Sequence, residues 1–250
     1  MEQIIIKPQK CNKTSIKRNY AVLKMSFSDF SVNDQNKIKL EANQLAAMAN
    51  SGAANSGHTR NSMVKKNDAF AGIISEYATM YLLNSLVPNS AIRPPVTNTE
   101  NQVDVLWHYL NQDLSIEVRS SFVNNGIPFA LFAVDSYTGK TYFDVLGSYY
   151  QQSYKSHYEP PKDAYSRVLF EGRKYNVYNR FVIQKECFYV IGFMDGPTLI
   201  NTNYHKPLTP NSAFTKHGSL TGSYYVAPMD TITDIYSLAN NVKLKLNNPF

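Results

Sequence analysis

The sequence predicts an α/β fold in which a mixed central sheet is flanked by helices. Two observations carry this prediction. Segments with helical spacing of apolar residues fill the first part of the chain, and segments with strand-like alternation follow from residue 103 onward. Helices followed by a run of strands are typical of a sheet covered by helices rather than of a repeating βαβ chain. With 250 residues, of which 43% are hydrophobic, we expect one domain with a sizeable core over 1–250.

The N-terminal part is predicted to be mostly helical, with a helical and loop segment over 20–62. Residues 37–49 are rich in good helix formers. Residues 51–57 are small and should form a flexible loop. A second helix is predicted over 67–86, since its apolar residues recur at helical spacing and Pro88 prevents its continuation. The apolar residues expected to face the core are Phe70, Ile73, Ile74, Tyr77 and Tyr81.

From residue 103 the pattern changes to strands. Residues 103–110 and 114–123 alternate apolar and polar side chains, and Asn111-Gln112-Asp113 between them is typical of a hairpin. Further strands are predicted over 128–134, 177–183 and 187–194, a strand or short helix over 142–150, loop or inserted structure over 151–174, and a terminal helix within 229–246.

Composition limits the function classes. The formal charge of +6 and the pI of about 9.1 weakly favour an anionic partner such as nucleic acid. The two cysteines form no Cys-x-x-Cys pair, so a disulfide scaffold and a cysteine-based zinc site are poorly supported. The chain shows neither the pattern of a secretory signal nor an apolar stretch of the roughly 20 residues that span a bilayer. We therefore expect a cytoplasmic protein with no membrane partner.

Several common catalytic motifs are incomplete. Gly139-Lys140-Thr141 resembles the end of a phosphate-binding loop, but Val134 stands where that loop needs its first glycine. The histidines include no pair at i and i+4, which a helix-borne zinc site would require. Neither a dinucleotide-binding fingerprint nor a nucleophile elbow is present.

The register of the predicted hairpin decides which side chains meet. Because side chains alternate between the two faces of a strand, the apolar residues share one face if Tyr109 lies opposite Ile116 and Trp107 opposite Val118. The same register would place His108 opposite Glu117 and Asp104 opposite Ser121.

Asp104, Glu117 and Arg119 would then lie together on the other face. Two carboxylates on adjacent strands make an oxygen-rich site that suits Mg²⁺. A bound Mg²⁺ can polarise a phosphodiester and lower the pKa of an attacking water, and a nearby cation such as Arg119 can stabilise the developing negative charge. For each residue alone, a solvated strand surface with a salt bridge is the simpler interpretation.

This pattern, Asp104 followed on the next strand by Glu117-Val118-Arg119, resembles the active-site motif of the PD-(D/E)xK nuclease superfamily, which includes most type II restriction endonucleases. The resemblance covers about residues 67–135, the expected catalytic core, and implies a restriction-endonuclease-like fold. It implies that Asp104 and Glu117 are metal ligands, that the carbonyl of Val118 is a further ligand, and that Glu76 on the preceding helix is an accessory catalytic acid.

The sequence departs from the family pattern at two positions. Arg119 stands where the family usually has lysine, and Val103 where it often has proline. Arginine stays protonated, so Arg119 can bind a phosphate or orient water but cannot act as a general base.

The resemblance implies a Mg²⁺-dependent endodeoxyribonuclease that hydrolyses phosphodiester bonds of double-stranded DNA, with a sequence-specific type II restriction endonuclease as the first expectation and a homodimer as its assembly. A DNA repair or recombination nuclease is the related alternative. A non-catalytic DNA-binding protein on a decayed nuclease fold is suggested by Arg119. A tyrosine-rich module for a carbohydrate or protein partner fits the 18 tyrosines but leaves the carboxylates unexplained.

Two basic segments are predicted to contact DNA. Residues 151–180, interpreted as an insertion, intersperse cations with tyrosines, an arrangement that suits phosphate contacts and base stacking. The cations expected to bind DNA there are Arg167, Arg173 and Lys174. A second patch, formed by Arg60, Lys65 and Lys66, lies beside the flexible loop over 51–62, which we expect to close on DNA.

Overall fold

The structure of the chain is a computed structural model. It describes residues 1–7, 19–49, 60–95, 103–132, 143–144, 162–201, 205–207, 223–225, 227–228 and 232–247.

The described residues form strands and helices with the following bounds. The strands are β1 (Glu2–Ile6), β2 (Tyr20–Met25), β3 (Ala91–Ile92), β4 (Val105–Tyr109), β5 (Gln112–Val123), β6 (Phe143–Asp144), β7 (Ala164–Glu171), β8 (Phe188–Asp195), β9 (His205–Pro207), β10 (Ser223–Tyr225) and β11 (Ala227–Pro228). The α-helices are α1 (Val32–Met48), α2 (Ser62–Leu86), α3 (Ile127–Phe132), α4 (Gly196–Asn201) and α5 (Ile235–Asn247). A 3₁₀ turn covers Phe27–Asp29 and a π-helix covers Tyr178–Ile183.

The main sheet has seven strands in the order β1-β2-β8-β7-β5-β4-β3. Strands β5 and β7 run parallel, and every other neighbouring pair in this sheet is antiparallel. Two small antiparallel pairs, β9 with β10 and β6 with β11, lie outside it. The predicted α/β architecture with a mixed sheet flanked by helices is therefore confirmed.

Apolar side chains on the two faces of the sheet form two separate clusters. Strand β7 shows the alternation, because Val168 and Phe170 belong to the larger cluster and Leu169 to the smaller one. The larger cluster contains the buried apolar residues of α1 and α5 and most of those of α2, and the smaller one contains those of α3 and α4. Burying a large apolar side chain contributes about 1.5–3 kcal/mol, so these clusters fix the sheet and the positions of its helices.

Both predicted N-terminal helices are confirmed and begin earlier than expected. Helix α1 starts at Val32, where the Ser31 side chain accepts a hydrogen bond from the Asp34 amide at 3.1 Å. Helix α2 starts at Ser62, and Asn61 caps it at 2.9 Å. Capping residues outside the apolar pattern set both starts. The loop predicted at 51–57 lies outside the described residues.

Three predictions of secondary structure were wrong. Residues 20–25 of the expected helical and loop segment form the buried strand β2. The strand predicted at 128–134 is helix α3 over its described part, and the strand predicted at 177–183 is the π-helix. Short apolar runs without alternation do not distinguish a strand from a buried helix.

The prediction of an insertion over 151–180 was also wrong for the residues of this range that the structure describes. Residues 164–171 form strand β7 in the middle of the sheet. The polar residues that concealed it are themselves buried, since Ser166 donates a hydrogen bond to the Gly192 carbonyl at 3.3 Å and Arg167 is only 6% exposed. The later strand at 187–194 and the terminal helix are confirmed as β8 and α5. Of 142–150, only β6 is described.

Within the described part of the chain, no helix combines the length and the apolar composition needed to cross a membrane.

Candidate active site

The β4–β5 hairpin is present, but its register differs from the predicted one. Tyr109 lies opposite Gln112 rather than Ile116, a displacement of four residues, and Val105 lies opposite Ile116. Leu110 and Asn111 form the tight turn, with φ of 49° and 61°, as a two-residue turn of the mirror-image type requires. An even displacement leaves the face of every side chain unchanged.

The observed register brings the two predicted metal ligands closer together. Continuing the ladder by one residue beyond Val105 and Ile116 places Asp104 opposite Glu117 rather than opposite Ser121. Asp104 precedes β4, and its Oδ2 accepts a hydrogen bond from the Val118 amide at 2.8 Å. Thus β5 holds the Asp104 carboxylate directly beside the Glu117 position.

His108 does not take part in this site. It lies opposite Asp113 at the far end of the hairpin, where its Nδ1 is 2.8 Å from Asp113 Oδ1 and both side chains are exposed. The expected neighbourhood of His108 and Glu117 was therefore wrong, because it depended on the predicted register.

Arg119 binds Glu117 along the same face of β5. Its Nη2 is 2.8 Å from Glu117 Oε1, and the Arg119 side chain is one third exposed while that of Glu117 is almost buried. Alternation along the strand explains the pairing, since residues two apart lie on one face. The predicted combination of two carboxylates and a cation is present.

Glu76 lies inward on α2, near enough to Asp104 and Glu117 for the charges of these carboxylates to interact. It is 6% exposed and is paired with Arg93, which follows β3. The second side of the Arg93 guanidinium binds Glu41 of α1, with Nη1 2.7 Å from Oε2. Arg93 therefore joins the two N-terminal helices at the edge of the site.

Burial and the charges of neighbouring acids disfavour ionisation of Glu76 and of Asp104. Burial, partly offset by Arg93 and reinforced by the charges of Glu41 and Glu117, raises the pKa of Glu76 to about 7. Burial also raises the pKa of Asp104 well above its usual range, with further contributions from the charges of Glu117 and Glu76. Several negative charges in a site that is largely shielded from water favour the binding of a cation.

Asp104 and Glu117 carry carboxylate oxygens, the type of ligand that Mg²⁺ prefers. Mg²⁺ prefers oxygen ligands and is usually held by one or two carboxylates together with water and substrate phosphate. Asp104 and Glu117 would supply those carboxylates. Among the described residues, no group of three or more histidine, cysteine, aspartate or glutamate side chains is arranged to hold a metal ion. Val118 contributes its amide to Asp104, and the role of its carbonyl as a ligand stays a prediction.

Arg167 lies beside the site rather than on an open recognition surface. It is paired in register with Arg119 on the neighbouring strand, and its Nη2 contacts Ser121 Oγ on β5. Its place in strand β7 contradicts the predicted insertion, and a contact of Arg167 with DNA stays a prediction.

The other predicted DNA-contacting cations converge around the start of α2. Asp68 binds Arg60 at 3.5 Å and Lys174 at 2.5 Å, so it links the two basic segments that the sequence separates. Lys65 and Lys66 lie on the same first turns, and the Lys66 amine is 5.1 Å from the centre of the Tyr178 ring. Arg173 is exposed next to Lys174. Sequence reasoning predicted these residues as two patches, and the structure joins them into one.

Glu41 and Arg93 are the site residues that the sequence did not indicate. Arg93 precedes two prolines in a segment without periodicity, and Glu41 is one of several polar residues on α1. The separations in sequence, 17 positions between Arg93 and Glu76 and 52 between Arg93 and Glu41, leave no local signal for either contact.

Comparison of the chain with protein-family models, with curated proteins and with solved structures gave no match.

Proposed function

We propose that this chain is a Mg²⁺-dependent endodeoxyribonuclease that hydrolyses phosphodiester bonds of duplex DNA, with a restriction-endonuclease-like fold. The observation that carries the proposal is the position of Asp104, held by the Val118 amide at 2.8 Å and aligned with Glu117 across the hairpin. The burial of Glu76 near this pair supports it, because neighbouring negative charges raise the pKa values of both Glu76 and Asp104.

Asp104 and Glu117 would hold the cation, and the carbonyl of Val118 would be a further ligand. When bound, Mg²⁺ polarises the scissile phosphate, lowers the pKa of a bound water and stabilises the leaving oxygen. Ion pairing with Arg93 keeps the Glu76 carboxylate at the edge of this pair, where it acts as the accessory acid.

Arg119 serves a charge-stabilising role. Its guanidinium lies 2.8 Å from Glu117 and is partly open to solvent, so it can reach a phosphate that binds next to that carboxylate. A preorganised cation stabilises the negative charge that grows in the transition state. Since arginine does not release its proton at neutral pH, the base that activates water is another group or the substrate itself.

The basic patch formed by Arg60, Lys65, Lys66, Arg173 and Lys174 supports DNA as the substrate. Along α2, Lys65 and Lys66 precede Glu76 by eleven and ten residues, which is roughly 15–17 Å at 1.5 Å per residue. That distance lets a duplex contact the patch through its backbone while another phosphate lies at Asp104 and Glu117. Such contacts position the duplex without reading its sequence.

We propose sequence-specific cleavage, of the type II restriction kind, in a cytoplasmic homodimer. The two strands of a duplex are related by twofold symmetry, so a symmetric pair of sites can cut both strands at one short palindrome. A repair or recombination nuclease would use the same chemistry and recognise the shape of DNA instead.

A second candidate is a DNA-binding protein that does not cleave. The specific observation in its favour is the Arg119–Glu117 ion pair, because a permanent cation at 2.8 Å occupies a carboxylate oxygen that a metal would use. In this case the basic patch would bind DNA with an affinity that depends strongly on salt concentration. Asp104 and Glu117 would then be remnants of a nuclease site that no longer cleaves DNA.

Digestion of mixed-sequence duplex DNA separates the candidates. Purified protein is incubated with Mg²⁺ or with EDTA, and the variant Glu117→Ala is compared with Asp113→Ala, which removes an exposed carboxylate from the same hairpin. We expect discrete fragments from wild type and Asp113→Ala in Mg²⁺, and intact DNA from Glu117→Ala or with EDTA.

The ends of the fragments decide between the kinds of nuclease. Ends at one short sequence identify a restriction enzyme, and ends at junctions or flaps identify a repair nuclease. Intact DNA that is retarded on a gel identifies the binding protein. Intact and unretarded DNA contradicts the DNA proposal.

A further inference from the structure

A cavity of about 580 Å³ lies between helix α5 and the end of the main sheet that carries the β4–β5 turn. Its lining includes Ile116 of β5 and Ala164 of β7 on the side of the sheet, and Leu238 and Val242 on the side of α5. Because side chains alternate along β5, Ile116 and Glu117 lie on opposite faces of the strand. The cavity is therefore separate from the candidate active site.

The aromatic part of the lining is held in place by its neighbours. The rings of Trp107 and Tyr109 are stacked, with centroids 4.5 Å apart and planes inclined by 10°. Trp107 Nε1 donates a hydrogen bond to Ser90 Oγ at 2.9 Å, and the Tyr109 hydroxyl donates one to the Val242 carbonyl at 3.4 Å. Sites for small molecules are typically apolar cavities of about 300–1,000 Å³ with a few polar groups that select the ligand, and this cavity has that size and that kind of lining.

Two carboxylates lie next to each other at one end of the cavity. Asp163 and Asp195 both belong to the lining, and the pairing of Ala164 with Asp195 makes them neighbours. Asp163 Oδ2 accepts hydrogen bonds from the amide and the hydroxyl of Ser115 at 2.7 and 2.6 Å, and Asp195 Oδ1 accepts one from the Thr198 amide at 2.8 Å. These bonds hold one oxygen of each carboxylate and leave the other oxygen to face a ligand.

The lining also includes a lysine, which is held less firmly than the two acids. Lys245 follows Val242 on α5, so it lies toward the end of the cavity where Tyr109 contacts that helix. It is exposed, and a long lysine side chain can keep its amine in water. Two fixed negative charges and one movable positive charge favour a ligand that carries a positive group.

We propose that this cavity binds a small ligand with an aromatic body and a protonated amine. The aromatic body lies between the sheet and α5, and the amine lies between Asp163 and Asp195. The site does not depend on the proposed nuclease activity, since none of the groups that carry that activity lines the cavity.

The alternative is that the cavity is a gap in the packing of α5 against the sheet. Ala164→Leu separates the two possibilities, because it places a larger side chain into the cavity. Filling a gap that binds nothing raises the free energy of unfolding or leaves it unchanged. Filling a ligand site also abolishes the binding of the ligand.

The fluorescence of Trp107 tests the site directly. Trp107 is the single tryptophan of the chain, so its emission reports on this cavity without a label. The probes are phenylbutylamine, phenylbutanol and phenylbutyrate, which share one aromatic body and carry a positive, a neutral and a negative end. We expect the amine to bind wild type about fivefold more tightly than the alcohol, which corresponds to about 1 kcal/mol from contacts that water partly screens, and we expect phenylbutyrate to bind most weakly.

Variants of the two acids test the origin of this preference. Asp195→Asn and Asp163→Asn keep an oxygen for the hydrogen bonds from Thr198 and Ser115 and remove the charge. Each variant should bind the amine more weakly, and the double variant should bind the amine and the alcohol equally. Asp113→Asn, which removes an exposed acid of the β4–β5 hairpin, should keep the wild-type preference. Ala164→Leu should bind all three probes at least about tenfold more weakly.

Equal affinity of wild type for the three probes overturns the inference, and so does tightest binding of phenylbutyrate or an emission that no probe changes. The acid variants carry the test if Ala164→Leu does not fold, and their melting temperatures show that they are folded. The nuclease proposal fails separately. Amine binding that depends on Asp163 and Asp195, in a protein that leaves every duplex intact, would retain this site and refute the nuclease.

Discussion

Replacing Glu76 by glutamine should stabilise the metal-free protein at alkaline pH. The pKa of Glu76 rises from 4.5 to about 7 in the folded protein, because burial and the charges of Glu41 and Glu117 oppose ionisation more than Arg93 favours it. An acid with a raised folded-state pKa keeps full stability below its unfolded pKa and loses it as the pH rises through the folded value. The stability of wild type should therefore fall between about pH 4.5 and pH 7 and remain low above it.

The size of this loss follows from the shift. A rise from 4.5 to about 7, at about 1.4 kcal/mol for each pH unit, corresponds to about 3 kcal/mol. Glutamine keeps the shape of the protonated acid and cannot ionise, so Glu76→Gln should exceed wild type by up to about that amount at pH 8 and equal it near pH 4. Such a gain is typical of a functional site, where a charged group that the function needs lowers the stability of the folded protein.

Urea denaturation in EDTA across this pH range measures the effect. The control is Glu41→Gln, which removes a carboxylate from the same guanidinium but one that is partly exposed; we expect it to be neutral or slightly destabilising. Addition of Mg²⁺ at pH 8 should stabilise wild type more than Glu76→Gln. A Glu76→Gln variant less stable than wild type at pH 8 would refute the reasoning, since it would show that the ion pair with Arg93 outweighs burial.

Two other substitutions test parts of the structure away from the acids. Asp68→Asn releases Arg60 and Lys174 from their shared partner. Fluorescence anisotropy should then show tighter binding of duplex DNA, and the slope of log K against log salt concentration should steepen by about 1–2. Unchanged binding would show that this patch does not contact DNA. Gly192→Ala would place a methyl group 2.5 Å from the Thr233 carbonyl at a backbone φ of 155°. Urea denaturation should therefore show a free energy of unfolding that is lower by about 2 kcal/mol or more. A variant as stable as wild type would contradict this close approach.

The elements that the sequence predicted well carry their signals locally. Helix α2 is recognisable because its apolar residues repeat at the helical period, and strand β8 because it is a short apolar run that the turn residues Asp195-Gly196-Pro197 bound. The face of each residue in the β4–β5 hairpin was also predictable, since alternation alone decides it. The grouping of Asp104 with Glu117 on one face depended on nothing else.

The hairpin register was not predictable in this way. The polar residues Asn111-Gln112-Asp113 indicated a loop, whereas the turn uses Leu110 and Asn111, both with positive φ. Leucine is an uncommon residue for that conformation, so its identity concealed the turn. The displacement of four residues moved His108 away from the site and brought Asp104 toward Glu117.

Long-range contacts account for the remaining differences. Strand β7 appeared polar because Ser166 and Arg167 lie within it, and only their partners on β8 and β5 make their burial possible. Arg93 acquires its role from two helices that the chain forms earlier. Such residues become recognisable only when tertiary packing brings their partners to them.

The cleavage of supercoiled plasmid as a function of Mg²⁺ concentration tests the central claim most directly. Wild type is compared with Asp104→Asn, with Glu117→Gln and with Asp113→Asn as the matched control. We predict Mg²⁺-dependent linearisation by wild type and Asp113→Asn, and a loss of at least about a hundredfold in rate for each ligand variant, as for removal of an essential electrostatic group. Cleavage that persists in both ligand variants would contradict the assignment of Asp104 and Glu117 as the metal-binding pair.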